Sequence, residues 1–462
     1  MKIAETIDTN LPMLHHEVRR MDNIAEKLIV SDSNHKRLSS YVVSLPLMKK
    51  WYQVALFNLV VLALLGLLMR YKMNFPFPVL EQKNILHAHS HFAFNGWIGF
   101  LLQVLIVDEF THDYKKSTRF WNRFFLVSTV VNHAMIFSFA WEGYGAISIA
   151  LSTAGLWLSY VFAYKIFKTL PAASSKNESI KFVKAALFFM LLSSLGPYAL
   201  AIIMALHVSN VYWSQNALLF FLHFQYSGWF TFATLAFLIK KLEQSPAFNF
   251  RTERAFFLLL AVTCVPSYFY TMLWQHRPET VTVVMAITAI LQAISLYFFV
   301  LLLYKNGRNA FTKLPAICRW LYTLAVAAYI LKVILPFFIL HPHVGQLALG
   351  LRPIIIGYLH LVFLSFVSMY LLGILADKNI VPHDNRISLT GLVTFAVGIT
   401  INEILLAAQG LAAMYVLYLP AVSKLLFYNT LILVMGAIVL FAAACKKQAC
   451  PSFYIKSLKL NI

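Results

Sequence analysis

Runs of about twenty apolar residues, repeated with little interruption from residue 52 to residue 445, constrain this chain more than any other feature. A helix rises only about 1.5 Å per residue, so a run of that length is what crossing a bilayer core requires. The sequence supplies twelve such candidates, near 52–70, 86–107, 121–140, 144–167, 182–206, 217–239, 255–274, 282–304, 316–340, 353–376, 388–408 and 421–445. In lipid the backbone finds no water, so a spanning segment must close its own hydrogen bonds as a helix or join a closed barrel. These runs are too long and too evenly apolar for barrel strands, which alternate over about ten residues. The expected fold class is all-α integral membrane, with twelve transmembrane helices.

Charge sets the expected orientation. The chain holds 38 Lys and Arg against 18 Asp and Glu, a net charge of +20. In a soluble chain that excess would suggest nucleic acid; here its placement follows the spans. Basic residues crowd the first segment (Arg19, Arg20, Lys36, Arg37, Lys49, Lys50) and then every second loop. Those loops carry Lys115, Lys116 and Arg119, then Lys165, Lys168 and Lys176, then Lys240, Lys241 and Arg254, then Lys305, Arg308 and Lys313; the tail carries Lys446 and Lys447. The alternate loops are nearly bare, with Arg277 and Arg352 as isolated exceptions. Basic loops stay in the cytoplasm, so both termini are expected there and the number of spans is even. Membrane lipid is the implied partner, and no nucleic acid.

Residues 1–50 read as a polar cytoplasmic segment without a cleavable signal, 51–446 as the membrane domain, and 447–462 as a cytoplasmic tail. The four cysteines, Cys264, Cys318, Cys445 and Cys450, are scattered and suggest neither a disulfide framework nor a metal spacing.

A single motif returns within the membrane domain. His87-Ala-His-Ser-His91-Phe-Ala-Phe-Asn-Gly96-Trp97 heads the second span, and His223-Phe-Gln-Tyr-Ser-Gly228-Trp229 repeats its second half on the sixth. A fainter copy, His360-Leu-Val-Phe-Leu-Ser-Phe366, lies on the tenth. The copies are 132 and 137 residues apart (91 to 223, 223 to 360), close to the length of four spans. Three pseudo-equivalent four-helix arcs are therefore expected, with one histidine from each near the outer face and the three converging on an outward-lying site. Ten of the fifteen histidines fall in outer halves or outer loops. Intramembrane ionisable residues are costly unless they face the bundle interior and find a partner.

His87 and His91, four residues apart, share a helix face, while His89 points the other way. Such a pair can chelate a metal, and a single imidazole can be an axial haem ligand; interfacial histidines bonded to water are the plainer alternative. Gly96 and Gly228 suit close helix contacts. Lys332 on the ninth span and Glu403 on the eleventh are intramembrane charges. They pair with each other, or Lys332 neutralises a haem propionate, or it snorkels outward. Arg277 and Arg352 sit where propionates would emerge, and Tyr226 and Tyr358 neighbour the key histidines. The inner halves hold almost no carboxylate or lysine beyond Asp108 and Glu109, which argues against coupled proton pumping.

This pattern resembles subunit I of the haem-copper oxidase superfamily, which includes the nitric oxide reductases. It is also similar to the His-rich, twelve-span haem-and-copper membrane proteins of nitric oxide response. The resemblance covers about 52–445 in topology and repeat, and rests in residues on the span-two Gly-Trp stretch, on Leu222-His223-Phe-Gln and on Tyr358-Leu-His360-Leu. It implies that His91 or His87 binds a b-type haem together with His360, with Lys332 and Arg352 toward its propionates. It implies a second metal, copper or non-haem iron, at His223, with His276 and His89 as further metal candidates. It further implies a cytochrome c-type or quinol electron donor, a small accessory subunit, and a place in a bacterial inner membrane. Two departures stand out. The family carries a His-His pair on span seven and a second histidine on span ten; here span seven has none and span ten only His360.

Three functions fit these residues. One is an oxidoreductase of the haem-copper type, passing electrons to, or binding, O2 or NO. Another is a metal- or haem-handling protein without turnover. The third is a secondary transporter with a histidine-lined outward site, for which repeat thirds rather than halves are unfavourable.

Overall fold

A computed structural model describes residues 48–111, 114–171, 177–272, 279–417 and 419–446. His276, Arg277, the first 47 residues and the tail from 447 lie outside these. The chain divides into two compact units, Met1–Lys50 and Trp51–Ile462. Of the first, only 48–50 are described, and they open a helix.

The described residues are helical throughout, with no strand among them. In chain order the long helices are α1 (Met48–Asn74), α2 (Gln82–Phe110), α3 (Ser117–Glu142), α4 (Ala146–Thr169) and α5 (Ser179–Ala205). Next come α6 (211–242) and α7 (Phe250–Cys264), the latter bent by 43° into a 3₁₀ stretch, Pro266–Met272. The series closes with α8 (Glu279–Phe311), α9 (Ala316–Ile339), α10 (Arg352–Asp377), α11 (Arg386–Met414) and α12 (Pro420–Cys445). A short helix, Pro342–Gly350, precedes α10.

A helix thus covers every expected span, but the described residues hold ten that are long and apolar enough to cross alone, or eleven counting bent α7. The one that falls short is α6. Its middle carries His223, Gln225, Tyr226, Ser227 and Gly228 in six residues, which dilutes the apolar run. The outward faces of the helices bear large apolar side chains, among them Phe137, Trp141, Trp157 and Met435. No soluble surface would carry so many, and lipid is their solvent. The chain is a multi-pass membrane protein.

Helices α2 and α10 line the centre: 67% and 78% of their apolar windows are buried, against 17% for α4. With α6 they share a backbone irregularity. Each opens into a π-helical stretch just after the repeated histidine, at Ala93–Gly99, Phe224–Phe230 and Leu361–Ser368. A π turn shifts the hydrogen-bond ladder by one residue and leaves carbonyls to be satisfied otherwise. The protein does this with side chains. Asn132 and Asn58 donate to the carbonyls of Asn95 and Gly96 at 3.0 and 2.7 Å. Thr231 Oγ1 donates to the Tyr226 carbonyl at 2.6 Å, and Ser368 Oγ to the Phe363 carbonyl at 2.8 Å. Each of those hydroxyls lies eight residues after its histidine. At the matching place in α2 stands Gly99, where a Cβ would lie 2.5 Å from the Phe94 carbonyl oxygen. That copy has room for no side chain there.

The three inner helices are locked together at both levels. Beyond the histidines, Phe94, Phe230 and Phe363 form a closed triangle of rings with centroids 4.7, 5.7 and 5.8 Å apart. Trp97 Nε1 also donates to Ser368 Oγ at 2.9 Å, tying α2 to α10. At the opposite end a ring of charge closes the same triangle. Lys240 of α6 pairs with Glu109 of α2 at 2.6 Å, Lys241 of α6 with Asp377 of α10, and Lys378, just past α10, with Asp108 at 2.9 Å and with Glu109. These groups are only 11–28% exposed, so each depends on its partner more than a solvated pair would. Asp108 and Glu109, the lone inner carboxylates of the sequence reading, are thus structural.

Candidate functional site

The histidine-rich head of α2 splits between two faces. His87 and His91 turn toward α3 and the turn that follows it: the His91 ring stacks on Phe139 at 4.2 Å, and its Nε2 lies 3.1 Å from the Tyr144 hydroxyl. The His87 ring meets Tyr144 edge-on at 4.5 Å. His89 turns the opposite way, toward α1 and α10. There the backbone of α1 comes close at Gly66, where a Cβ would stand 3.4 Å from the His89 ring.

On that inner side His89 lies within electrostatic reach of His360 and of Arg70, and His360 also senses Arg70. His360 Nδ1 is 2.8 Å from the Ile356 carbonyl, one helical turn back. A carbonyl only accepts, so Nδ1 carries the proton and Nε2 keeps a free lone pair. This arrangement orients an imidazole for a metal or haem iron, and a backbone carbonyl as partner of the other nitrogen is the common device. His89 Nδ1 is buried without a hydrogen-bond partner among the described residues. His89, His360 and Arg70 are thus within electrostatic reach of one another, with Gly66 beside the His89 ring. The sequence reading pairs His360 with His91 or His87; in the structure His89 is the α2 histidine that senses His360.

His223 is placed differently. Its Nε2 donates to the Cys264 carbonyl at 2.8 Å, beside Ser267 Oγ at 3.4 Å, while Nδ1 is buried without a partner among the described residues. The carbonyl it uses lies at the bend of α7, where the ladder tightens to 3₁₀: the Tyr268 amide bonds to Val265 instead, and the Cys264 carbonyl is left to His223 and to Ser267 Oγ, which donates to it at 3.0 Å. His223 also borders a cavity of about 570 Å³ between α6, α7, α9, α10 and α11. The cavity is mostly apolar; its polar groups include Tyr226, Tyr358, Lys332 and Glu403. Lys332 and Glu403 share this space but form no ion pair among the described residues; the Glu403 carboxylate instead accepts from the Asn402 amide at 3.4 Å and neighbours Ser365. Tyr226 and Tyr358 meet edge to face at 5.9 Å. Phe338 and Leu411, exposed on the outer face of the bundle, belong to the lining, so the cavity opens toward lipid.

The three repeated histidines do not converge. Among the described residues no hydrogen bond, ring contact or electrostatic interaction joins His91, His223 and His360, because the phenylalanine triangle fills the axis and each imidazole turns to its own flank. Arg352 is exposed at the start of α10, two turns from His360. His276 is not among the described residues.

Several residues that shape the site were not singled out by the sequence reading. Arg70 and Gly66 end an apolar run, where nothing marks them; only proximity to α10 does. The charge triangle did leave a signal. Its members stand 17 and 18 residues after the histidine in every copy: Asp108 and Glu109, Lys240 and Lys241, Asp377 and Lys378.

A haem fits the His89–His360 face on the chemistry of its donors: one imidazole with its lone pair freed by a backbone bond, a second with an orphaned nitrogen, and a cation beside both. His223 by itself does not make a second metal centre. Its bond to Cys264 leaves the Nδ1 lone pair free, but Lys332 lies within electrostatic reach, and no group of three or more His, Cys, Asp or Glu able to hold a metal occurs among the described residues.

No protein-family model and no curated protein sequence matches the chain. Among solved structures it is similar to a haem-copper terminal oxidase dimer determined by cryo-EM, with a TM-score of 0.60 and 10% sequence identity, over 87% of this chain and 85% of that one. The chain shares the fold of that terminal oxidase.

Proposed function

We propose that this chain is a haem-binding membrane protein that keeps the scaffold of a haem-copper oxidase, holds one b-type haem between His89 and His360, and lacks the family's second metal centre. The observation that carries the reading is that His360, with Nδ1 held by the Ile356 carbonyl, and His89, with Nδ1 buried and unpartnered among the described residues, lie within electrostatic reach of each other and of Arg70. His360 offers Nε2 because Ile356 holds Nδ1. Gly66 keeps α1 clear of the His89 ring, and Arg70 supplies positive charge for a carboxylate such as a propionate. When bound, the haem supplies one-electron chemistry toward a small gas such as O2 or NO. With two imidazoles for the haem and no group of three metal ligands among the described residues, the reading favours electron transfer over the reduction chemistry of a two-metal centre. Twelve crossings with both termini inside, in a bacterial inner membrane, and a cytochrome c-type or quinol donor complete the proposal.

Purified protein is expected to show a Soret band and about one haem b per chain by the pyridine haemochrome assay. His89→Ala and His360→Ala should each abolish or shift the band, while His91→Ala should leave it. A colourless wild type, or a band that depends on His91 and not on His89, would refute the proposal.

A further inference from the structure

The haem reading uses His89 and leaves its two neighbours, His87 and His91, without a task. They stand one helical turn apart on the other face of α2, and both rings are arranged around one phenol. The Phe139 ring, stacked at 4.2 Å and 17° on His91, fixes that imidazole so that its Nε2 faces the Tyr144 hydroxyl at 3.1 Å. His87 meets the Tyr144 ring at 4.5 Å, and its Nε2 is buried with no hydrogen-bond partner among the described residues. A buried imidazole nitrogen without a partner is a cost the fold carries unless something binds there.

Tyr144 is held as firmly as the imidazoles. It sits in the turn between α3 and α4, where Gly143 takes a left-handed φ of +64° and a side chain would meet Asn84 at 2.6 Å. Ser148 Oγ donates to the Gly143 carbonyl at 2.6 Å, and the Ser148 amide donates to Glu142 Oε1 at 2.6 Å. The turn therefore presents the phenol oxygen at a fixed place before α4 begins.

We propose that His87, His91 and Tyr144 form a binding site for a borderline divalent cation, Cu²⁺ in preference to Zn²⁺, distinct from the haem face. Two imidazoles at i and i+4 supply the donors such ions prefer, and affinity at nitrogen sites rises toward copper. Tyr144, itself exposed, adds an oxygen. Lys83, near enough to His87 to repel a cation, keeps the affinity moderate.

The test is titration of the detergent-solubilised full chain with CuSO4 and with ZnCl2, followed by isothermal calorimetry. One equivalent should bind above the background of the other histidines, with copper tighter than zinc. The double variant His87→Ala/His91→Ala should lose that equivalent while keeping its haem band. Tyr144→Phe, which preserves the ring packing, should weaken copper by about tenfold, the loss of one ligand bond. The proposal is overturned by unchanged stoichiometry in the double variant, or by unchanged copper affinity in Tyr144→Phe should the double variant not fold. Loss of copper and haem together from a folded double variant also overturns it, since the two sites would then be one.

Discussion

Each histidine in this bundle has two ring nitrogens, and the one the protein occupies determines what the other can do. In His360 the backbone of its own helix takes Nδ1, which leaves Nε2 for a ligand. In His223 the bend of α7 takes Nε2, which leaves Nδ1, buried and without a partner among the described residues. Sequence cannot show this difference, because both are the same residue at the same place in the repeat; the bend that offers the Cys264 carbonyl lies on another helix. Lys332 is a second case. The sequence reading offers it Glu403, a propionate or the lipid interface, yet it borders an apolar cavity and forms no hydrogen bond or ion pair among the described residues. An amine buried without a partner destabilises by about 1–3 kcal/mol. Lys332→Met should therefore raise the thermal unfolding temperature in detergent by about 2 °C or more and leave the haem band unchanged. A lower unfolding temperature, or a lost band, would return Lys332 to the haem.

Among the elements, the π-helical stretches explain why three inner helices resemble one another more than their sequences do. A hydroxyl or a bare glycine eight residues after the histidine serves one freed carbonyl in each copy, and the aromatic three after it supplies a ring to the central triangle in α2 and α10, while in α6 Phe230, seven after, takes that place. Of this the sequence shows the aromatic and the Gly-Trp pair, but not the capping, since Thr231, Ser368 and Gly99 share no chemistry until the carbonyl is seen. Gly228 and Gly96, alike in sequence, differ in place. A Cβ on Gly228 would lie 2.4 Å from the Phe189 Cβ of α5, so this glycine sets the approach of two helices. The nearest atoms to a Cβ on Gly96 are those of the Phe92 ring, in its own helix. Gly228→Ala should accordingly cost about 1–3 kcal/mol of stability, read as a lowered unfolding midpoint, and Gly96→Ala less. Equal effects in the two variants would contradict this account of the α5–α6 contact.

At the scale of the molecule, the all-helical membrane fold was legible because lipid permits few solutions: apolar runs of helical length must be helices, and among the described residues helices lie over the expected spans. Apolarity alone supports only ten or eleven crossings among the described residues, since α6 spends its middle on the polar repeat. The spacing of the histidines did foretell that α2, α6 and α10 share one local backbone form, a π-helical stretch just after each histidine. The arrangement of the site was not legible, because a repeat implies convergence on its axis, and here Phe94, Phe230 and Phe363 fill that axis. The imidazoles turn to separate partners, and the proposed pair, His89 with His360, joins a histidine outside the repeat to one within it, the two lying within electrostatic reach. Electron paramagnetic resonance of the oxidised protein addresses that pairing most directly. One low-spin ferric signal of the bis-imidazole type per chain is expected in the wild type, turning high-spin when His89 or His360 becomes Ala. A high-spin signal in the wild type, or a low-spin signal that survives His89→Ala, would contradict it.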